Sequence, residues 1–354
     1  MNRPLPELTI KGHTAQLPII QAGMGVRIGV GRLAGAVINE GGIGVIASVG
    51  LADIDKTLNA GYIEDSECKL VDEIRIARSI TGSKGPLGVN VMVALTNYES
   101  LVRTAVKEGV DLIISGAGLP LRLPAYVDEK TALVPVVSSG RALKLVMKTW
   151  RSKYDRVPDA IILEGPLCGG HLGFSYEQIE HPETCSIDKI LAEAREVLGE
   201  EHKRIPLIAA EGVTCRADID RYLAMGFAGV QIGTRFICTA ESGMERKGQE
   251  HYIRACAGDV TVVQSPVGLP VRVLRSPLVE RMLSGQREKF KCPYKCLITC
   301  DMKKVPFCIA QALLAAREGD WENGLFMTGC NVDPITQITT VKEFIAELLQ
   351  EANV

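Results

Sequence analysis

Short aliphatic runs recur through the first two thirds of the chain. Each is trailed by a stretch in which apolar side chains return every three or four positions. The runs at 18–22, 44–47, 87–92, 111–115, 133–138, 160–163, 207–210 and 229–232 read as strands. They are rich in Val and Ile and alternate little, the pattern of strands covered on both faces. Between them, 100–108, 140–150, 186–198 and 215–225 carry the spacing of amphipathic helices. Eight strand–helix units with glycines at most strand ends predict an α/β fold, a parallel (β/α)8 TIM barrel rather than a doubly wound open sheet.

The last third follows another pattern. Residues 241–257, 277–290, 305–317 and 341–351 read as helices, and a cysteine-bearing stretch lies among them. No Pro/Ser-rich linker sets this region apart. The predicted organisation is a barrel over residues 1–240 and a helical C-terminal extension over residues 241–354, packed on the barrel.

Composition narrows the function classes. The chain has 354 residues, 46% of them hydrophobic and only 5% aromatic, so its core is mostly aliphatic. Forty basic and 42 acidic residues leave a net charge of −2, which speaks against nucleic acid or a membrane surface as partner. No apolar run approaches the roughly 18 residues of a membrane helix. Residues 1–6 lack the apolar core of a signal peptide. The expectation is a soluble cytoplasmic protein acting on a small molecule, with a homodimer as the commonest assembly. Seven of the 11 cysteines are scattered, and such cysteines are expected to be buried small hydrophobes.

In such a barrel the chemistry gathers at the C-terminal ends of the strands. The sixth run leads into Leu163-Glu164-Gly165-Pro166-Leu167-Cys168-Gly169-Gly170-His171, a glycine pair presenting a histidine that can exchange a proton near neutral pH. The seventh and eighth runs end in Glu211-Gly212-Val213-Thr214 and Gln231-Ile232-Gly233-Thr234. Adjacent ends of this kind bind phosphate through backbone N–H groups, and Thr214 reads as the cap of the next helix. Asn90 interrupts an apolar strand, where its amide needs partners. Gly23 and Met24 offer a flat surface with a flexible thioether beside it. A phosphate clamp, a platform, an amide and a histidine together suit flavin mononucleotide (FMN). Arg272 and Arg275 read as surface charge in preference to ligands of a carboxylate or thioester. His13, His181, His202 and His251 read as surface residues.

Cys292, Cys296, Cys300 and Cys308 form a cluster, and the first three share one face if the stretch is helical. Four thiolates suit an iron–sulfur cluster or a structural zinc, with packed thiols and no metal as the alternative.

The stretches Pro18-Ile19-Ile20-Gln21-Ala22-Gly23-Met24, Gly88-Val89-Asn90, Gly169-Gly170-His171, Ile208-Ala209-Ala210-Glu211-Gly212-Val213 and Gly229-Val230-Gln231-Ile232-Gly233-Thr234-Arg235-Phe236 resemble the nitronate monooxygenase family of FMN-dependent barrels. That family also contains the FMN-dependent enoyl-acyl-carrier-protein reductases. The resemblance covers about residues 15 to 280. It implies His171 as the catalytic residue. It implies FMN contacts from Gly23, Met24, Asn90, Glu164, Gly169, Gly212, Gln231, Ile232, Gly233 and Thr234. Glu164, Leu167, Cys168 and Glu211 depart from the family's commonest residues. An extra carboxylate beside an anion must be neutralised, turned away or paired. The expected activity is oxidation of alkyl nitronates or similar small carbanions. The alternative is reduction of an enoyl thioester, carried on an acyl carrier or CoA, by NAD(P)H, with an iron–sulfur cluster as a further electron carrier. A barrel without chemistry, acting as a scaffold, is the reading from another class.

Overall fold

A computed structural model describes residues 4–52, 61–292 and 295–350. Strands β1 (Leu8–Ile10) and β2 (His13–Ala15) form an antiparallel hairpin. The eight barrel strands include β3 (Ile19–Gln21), β4 (Gly44–Ala47), β5 (Leu87–Met92), β6 (Leu112–Gly116), β7 (Ala132–Val137) and β8 (Ile161–Glu164). A two-residue strand, β9 (Gly170–His171), follows. The last barrel strands are β10 (Leu207–Ala210) and β11 (Gly229–Ile232). The extension contributes β12 (Val260–Gln264) and β13 (Pro270–Leu274).

The barrel strands run in the order β3-β11-β10-β8-β7-β6-β5-β4, every neighbouring pair parallel. The two ends of that order meet. Ile20 bridges Ile43, and the Gln21 N–H donates to the Ile43 carbonyl at 3.0 Å. The fully buried Gln21 side chain also accepts the Val45 N–H at 3.0 Å. The expected TIM barrel is therefore present, and all eight predicted runs fall on barrel strands.

The weak alternation in these strands follows from burial on both sides. Ile20, Val45, Ile114, Val134, Ile162 and Ile208 pack together inside with Leu8 and Ile10 of the hairpin. Ile19, Ile46, Val89, Ile113, Leu133 and Leu163 face outward into a second cluster shared with the helices. Leu8 approaches Gly229, the first residue of β11, so the hairpin plugs the N-terminal end of the barrel. The C-terminal end is left for the site.

The extension differs from its sequence reading in two ways. It is not wholly helical: β12 and β13 form an antiparallel hairpin, and β13 also pairs with β9. Its helices are shorter than their periodicity suggested, at Arg246–Arg254, Pro277–Leu283, Ile309–Arg317 and Val341–Leu349. Among the described residues no helix is long and apolar enough to cross a membrane. Of the scattered cysteines only Cys168, Cys185 and Cys238 are buried; Cys68, Cys215 and Cys256 are exposed, against expectation.

Candidate active site

A cavity of about 260 Å³ opens at the C-terminal ends of the barrel strands. His171 and every residue expected to touch the flavin border it: Gly23 and Met24 after β3, Asn90 on β5, Glu164 ending β8, Gly169, Gly212 after β10, and Gln231, Ile232, Gly233 and Thr234 at the end of β11. The extension roofs the cavity with Val267, Cys296, Leu297, Leu313 and Met327.

Gly23 is small for a packing reason. A methyl group there would stand 2.2 Å from Asn90 Cβ, so no larger residue fits beside that amide. Asn90 donates through Nδ2 to the Ile114 carbonyl at 3.4 Å, and its own carbonyl accepts from Ser48 Oγ at 2.9 Å. At the other side, the Gly329 N–H donates to Thr234 Oγ1 at 3.0 Å, and Asn331 Nδ2 to the Gly212 carbonyl at 3.4 Å. The 328–331 stretch thus closes over both of the predicted phosphate-binding ends. Against expectation, Thr214 does not cap the following helix; Cys215 holds that position, and Thr214 bonds Asp218 through both its N–H and its hydroxyl.

His171 sits on β9, held in a strand pairing with Val271 of β13. Its Nε2 lies 2.8 Å from Ser265 Oγ. Ser265 Oγ already accepts the Val267 N–H at 3.1 Å. The hydroxyl either donates to Nε2, with the ring proton on Nδ1, or accepts from Nε2–H through its second lone pair. Burial holds the imidazole pKa down to about 4, so His171 is neutral at physiological pH.

The two carboxylates flagged in the sequence have different fates. Glu211 turns under the loop that leads to His171, and its Oε1 accepts the Leu167 N–H at 2.7 Å. Gly165 makes room for it, since a methyl group there would stand 2.4 Å from the carboxyl carbon. Burial raises the Glu211 pKa, and the Leu167 N–H works against that rise. Glu164 borders the cavity with no hydrogen-bonding partner among the described residues, and desolvation pushes its pKa up to about 7.

Arg272 corrects the surface assignment. It is 5% exposed on β13, and its guanidinium donates to the Pro166 carbonyl at 2.9 Å and to the Cys168 carbonyl. It clamps the loop between β8 and β9. Arg275, by contrast, is exposed and pairs with Glu280 at 3.5 Å. Of the predicted surface histidines His181 is exposed, whereas His13, His202 and His251 are half-buried, the last with its ring stacked 4.5 Å from Trp321.

The cysteine cluster is not helical. Residues 291, 292 and 295–308 lie in turns, bends and irregular backbone, so the shared helical face is overturned. Among the described residues no three His, Cys, Asp or Glu side chains stand as a closed metal site. Cys296 nevertheless lies within charge–charge reach of Cys292, Cys300 and Cys308, and burial pushes its pKa up to about 12.

Ser265 and the clamp by Arg272 were missed in the sequence. The signal was present: Val260-Thr261-Val262-Val263-Gln264 and Pro270-Val271-Arg272-Val273-Leu274 flank a turn containing Gly268, a hairpin pattern.

Comparison with known proteins places this geometry in a family. The family model described as nitronate monooxygenase matches residues 7–351. A (3aS,4S,5R,7aS)-5-hydroxy-7a-methyl-1-oxo-octahydro-1H-indene-4-carboxyl-CoA dehydrogenase of Mycobacterium tuberculosis is 29% identical, over 82% of this chain and 70% of its own. The nitronate monooxygenase npaC of Metarhizium robertsii is 26% identical, over 70% of this chain and 66% of its own. The structure of FabK from Thermotoga maritima superposes with a TM-score of 0.71 at 28% identity, covering 94% of this chain and 91% of that one. The chain is an oxidoreductase that belongs to the nitronate monooxygenase family.

Proposed function

We propose that this protein is an FMN-dependent oxidoreductase that reduces an unsaturated acyl thioester, on CoA or an acyl carrier, with NAD(P)H as the reductant. The residues present suit FMN. The backbone at Gly212, Gly233 and Thr234 offers N–H groups for a phosphate. Gly212 has open space where a side chain would stand. Gly23, Met24, Asn90, Gln231 and Ile232 would receive the ring, and Gly169 and Glu164 its far edge. FMN bound here supplies reversible two-electron exchange.

The substrate class follows from charge. Arg235 is the one Lys or Arg among the described residues of the cavity wall. Its guanidinium is spent on Glu347, at 2.6 and 3.1 Å, and on the Thr214 carbonyl at 3.1 Å. A nitronate anion would therefore meet a neutral His171 and the unpaired Glu164 carboxyl, with no cation to balance it. A thioester brings no charge to the reacting carbons. In the tautomer with its proton on Nδ1, His171 can donate a hydrogen bond to a thioester carbonyl. The Mycobacterium tuberculosis relative, by its name, acts on a CoA thioester, which supports the same class. The cation-poor wall is the observation that carries this reading.

Nitronate oxidation is the second reading, favoured by the family's own description and by the relative from Metarhizium robertsii. Rapid mixing separates the two. The flavin-loaded protein should bleach with NADH or NADPH and recover its colour anaerobically on addition of an enoyl-CoA. Bleaching by an alkyl nitronate, with none by either nicotinamide, would reverse the order of the two readings. A protein that takes up no flavin would end both.

A further inference from the structure

We propose that Cys292, Cys296, Cys300 and Cys308 bind a soft, thiophilic metal centre, an iron–sulfur cluster or a zinc ion, at the edge of the cavity. The proposal does not depend on the flavin or the substrate. All four cysteines are free thiols, so no disulfide accounts for their proximity. Nor does a helix: the stretch is laid in irregular backbone and tied to the barrel mouth strand-wise. The Thr96 N–H donates to the Cys296 carbonyl at 3.1 Å, and the Ile298 N–H to the Ala94 carbonyl at 2.9 Å. Thr299 Oγ1 donates to the Val267 carbonyl at 3.1 Å, in the same turn that positions His171.

Two of the sulfurs already have the surroundings of ligands. The Lys295 N–H donates to Cys292 Sγ at 3.3 Å, from a backbone held in the left-handed region at φ 42°. Cys308 heads the helix Ile309–Arg317 with its sulfur beside the N–H groups of Ala310 and Gln311, short of a capping hydrogen bond. Backbone N–H groups placed beside the sulfurs in this way would serve as hydrogen-bond donors to a metal's ligands. Convergence to the roughly 2.3 Å of a zinc–sulfur bond comes with proton release on binding. The charge around the cluster is independent support. Residues 287–308 contain Arg287, Lys289, Lys291, Lys295, Lys303 and Lys304 against only Glu288 and Asp301. Four thiolates on a zinc ion or a cubane leave an anionic centre, and this basic surround complements it.

The test uses the full chain purified without oxygen. Elemental analysis and an assay for acid-labile sulfide separate the arms: iron with sulfide and broad visible absorption, or colourless zinc at about one atom per chain. Cys292→Ser and Cys300→Ser should each lower the metal content at least about tenfold. Cys68→Ser, at an exposed thiol elsewhere, should not. Should those variants fail to fold, alkylation of the parent answers instead: the four thiols should be protected, and become reactive once the metal is stripped. A parent that carries neither metal, and takes up neither zinc nor ferrous iron with sulfide, overturns the proposal. So does unchanged metal content in folded Cys292→Ser and Cys300→Ser.

Discussion

Glu164→Gln tests the electrostatics of the cavity directly. The substitution keeps the shape and removes the charge. Glu164 titrates near pH 7 in the folded chain because desolvation disfavours its ionised form. A carboxyl whose folded pKa is raised contributes stability below its unfolded pKa, about 4.5, and loses it as pH rises through 7. Moving the pKa that far corresponds to about 3 kcal/mol by pH 8 and about 1 kcal/mol at pH 5. Gln carries no such penalty. The flavin-free Glu164→Gln variant should therefore unfold at higher urea than the parent at pH 8, with most of that gain gone at pH 5. His171 runs the other way. Its depressed pKa makes stability fall as pH drops from 6.5 toward 4, and it does so equally in both proteins. Equal urea midpoints at pH 8, or a gain independent of pH, would show that Glu164 is solvated or paired and would refute the reasoning.

Other substitutions probe the supports around that carboxyl. Ser265→Ala should cost about 1 kcal/mol in urea unfolding and shift the ring proton of His171 between its nitrogens, visible in the nitrogen NMR shifts of the imidazole. Arg272→Met removes both donors that clamp the Pro166–Cys168 loop; it should cost about 3 kcal/mol and make the buried Cys168 open to alkylation, read by mass spectrometry. Gly23→Ala drives a methyl group into Asn90 and should cost about 1–3 kcal/mol, with weaker retention of flavin in a dialysis assay.

The barrel was legible because its strands are buried on both faces. Uninterrupted runs such as Leu207–Ala210 and Gly229–Ile232 carry that burial openly, and their ends then locate the cavity. What escaped depends on partners far along the chain. Arg272 looks like a surface charge in isolation; only the pairing of β13 with β9 turns its guanidinium onto carbonyls about a hundred residues earlier. Glu211 looked hostile to an anion, and its resolution needed Gly165, which leaves the space, and Leu167, which supplies the N–H. The cysteine spacing fits a helix, yet Cys296 and Ile298 are tied to Thr96 and Ala94 instead, a tertiary contact that no periodicity shows.

The division of labour between barrel and extension follows from those long-range contacts. The barrel supplies glycines and backbone N–H groups, features suited to a cofactor and indifferent to what reacts with it. The residues that decide the reaction lean on the extension. His171 owes its orientation to Ser265 and to β13, and the loop before it owes its shape to Arg272. Val267 and the cysteine stretch are joined through Thr299, so a change in that stretch has a short mechanical route to the histidine. A barrel of this kind can keep its flavin chemistry and exchange substrates when residues 260–331 change. Members of one family that differ in substrate should then differ most in that roof, and least at the ends of β3, β10 and β11.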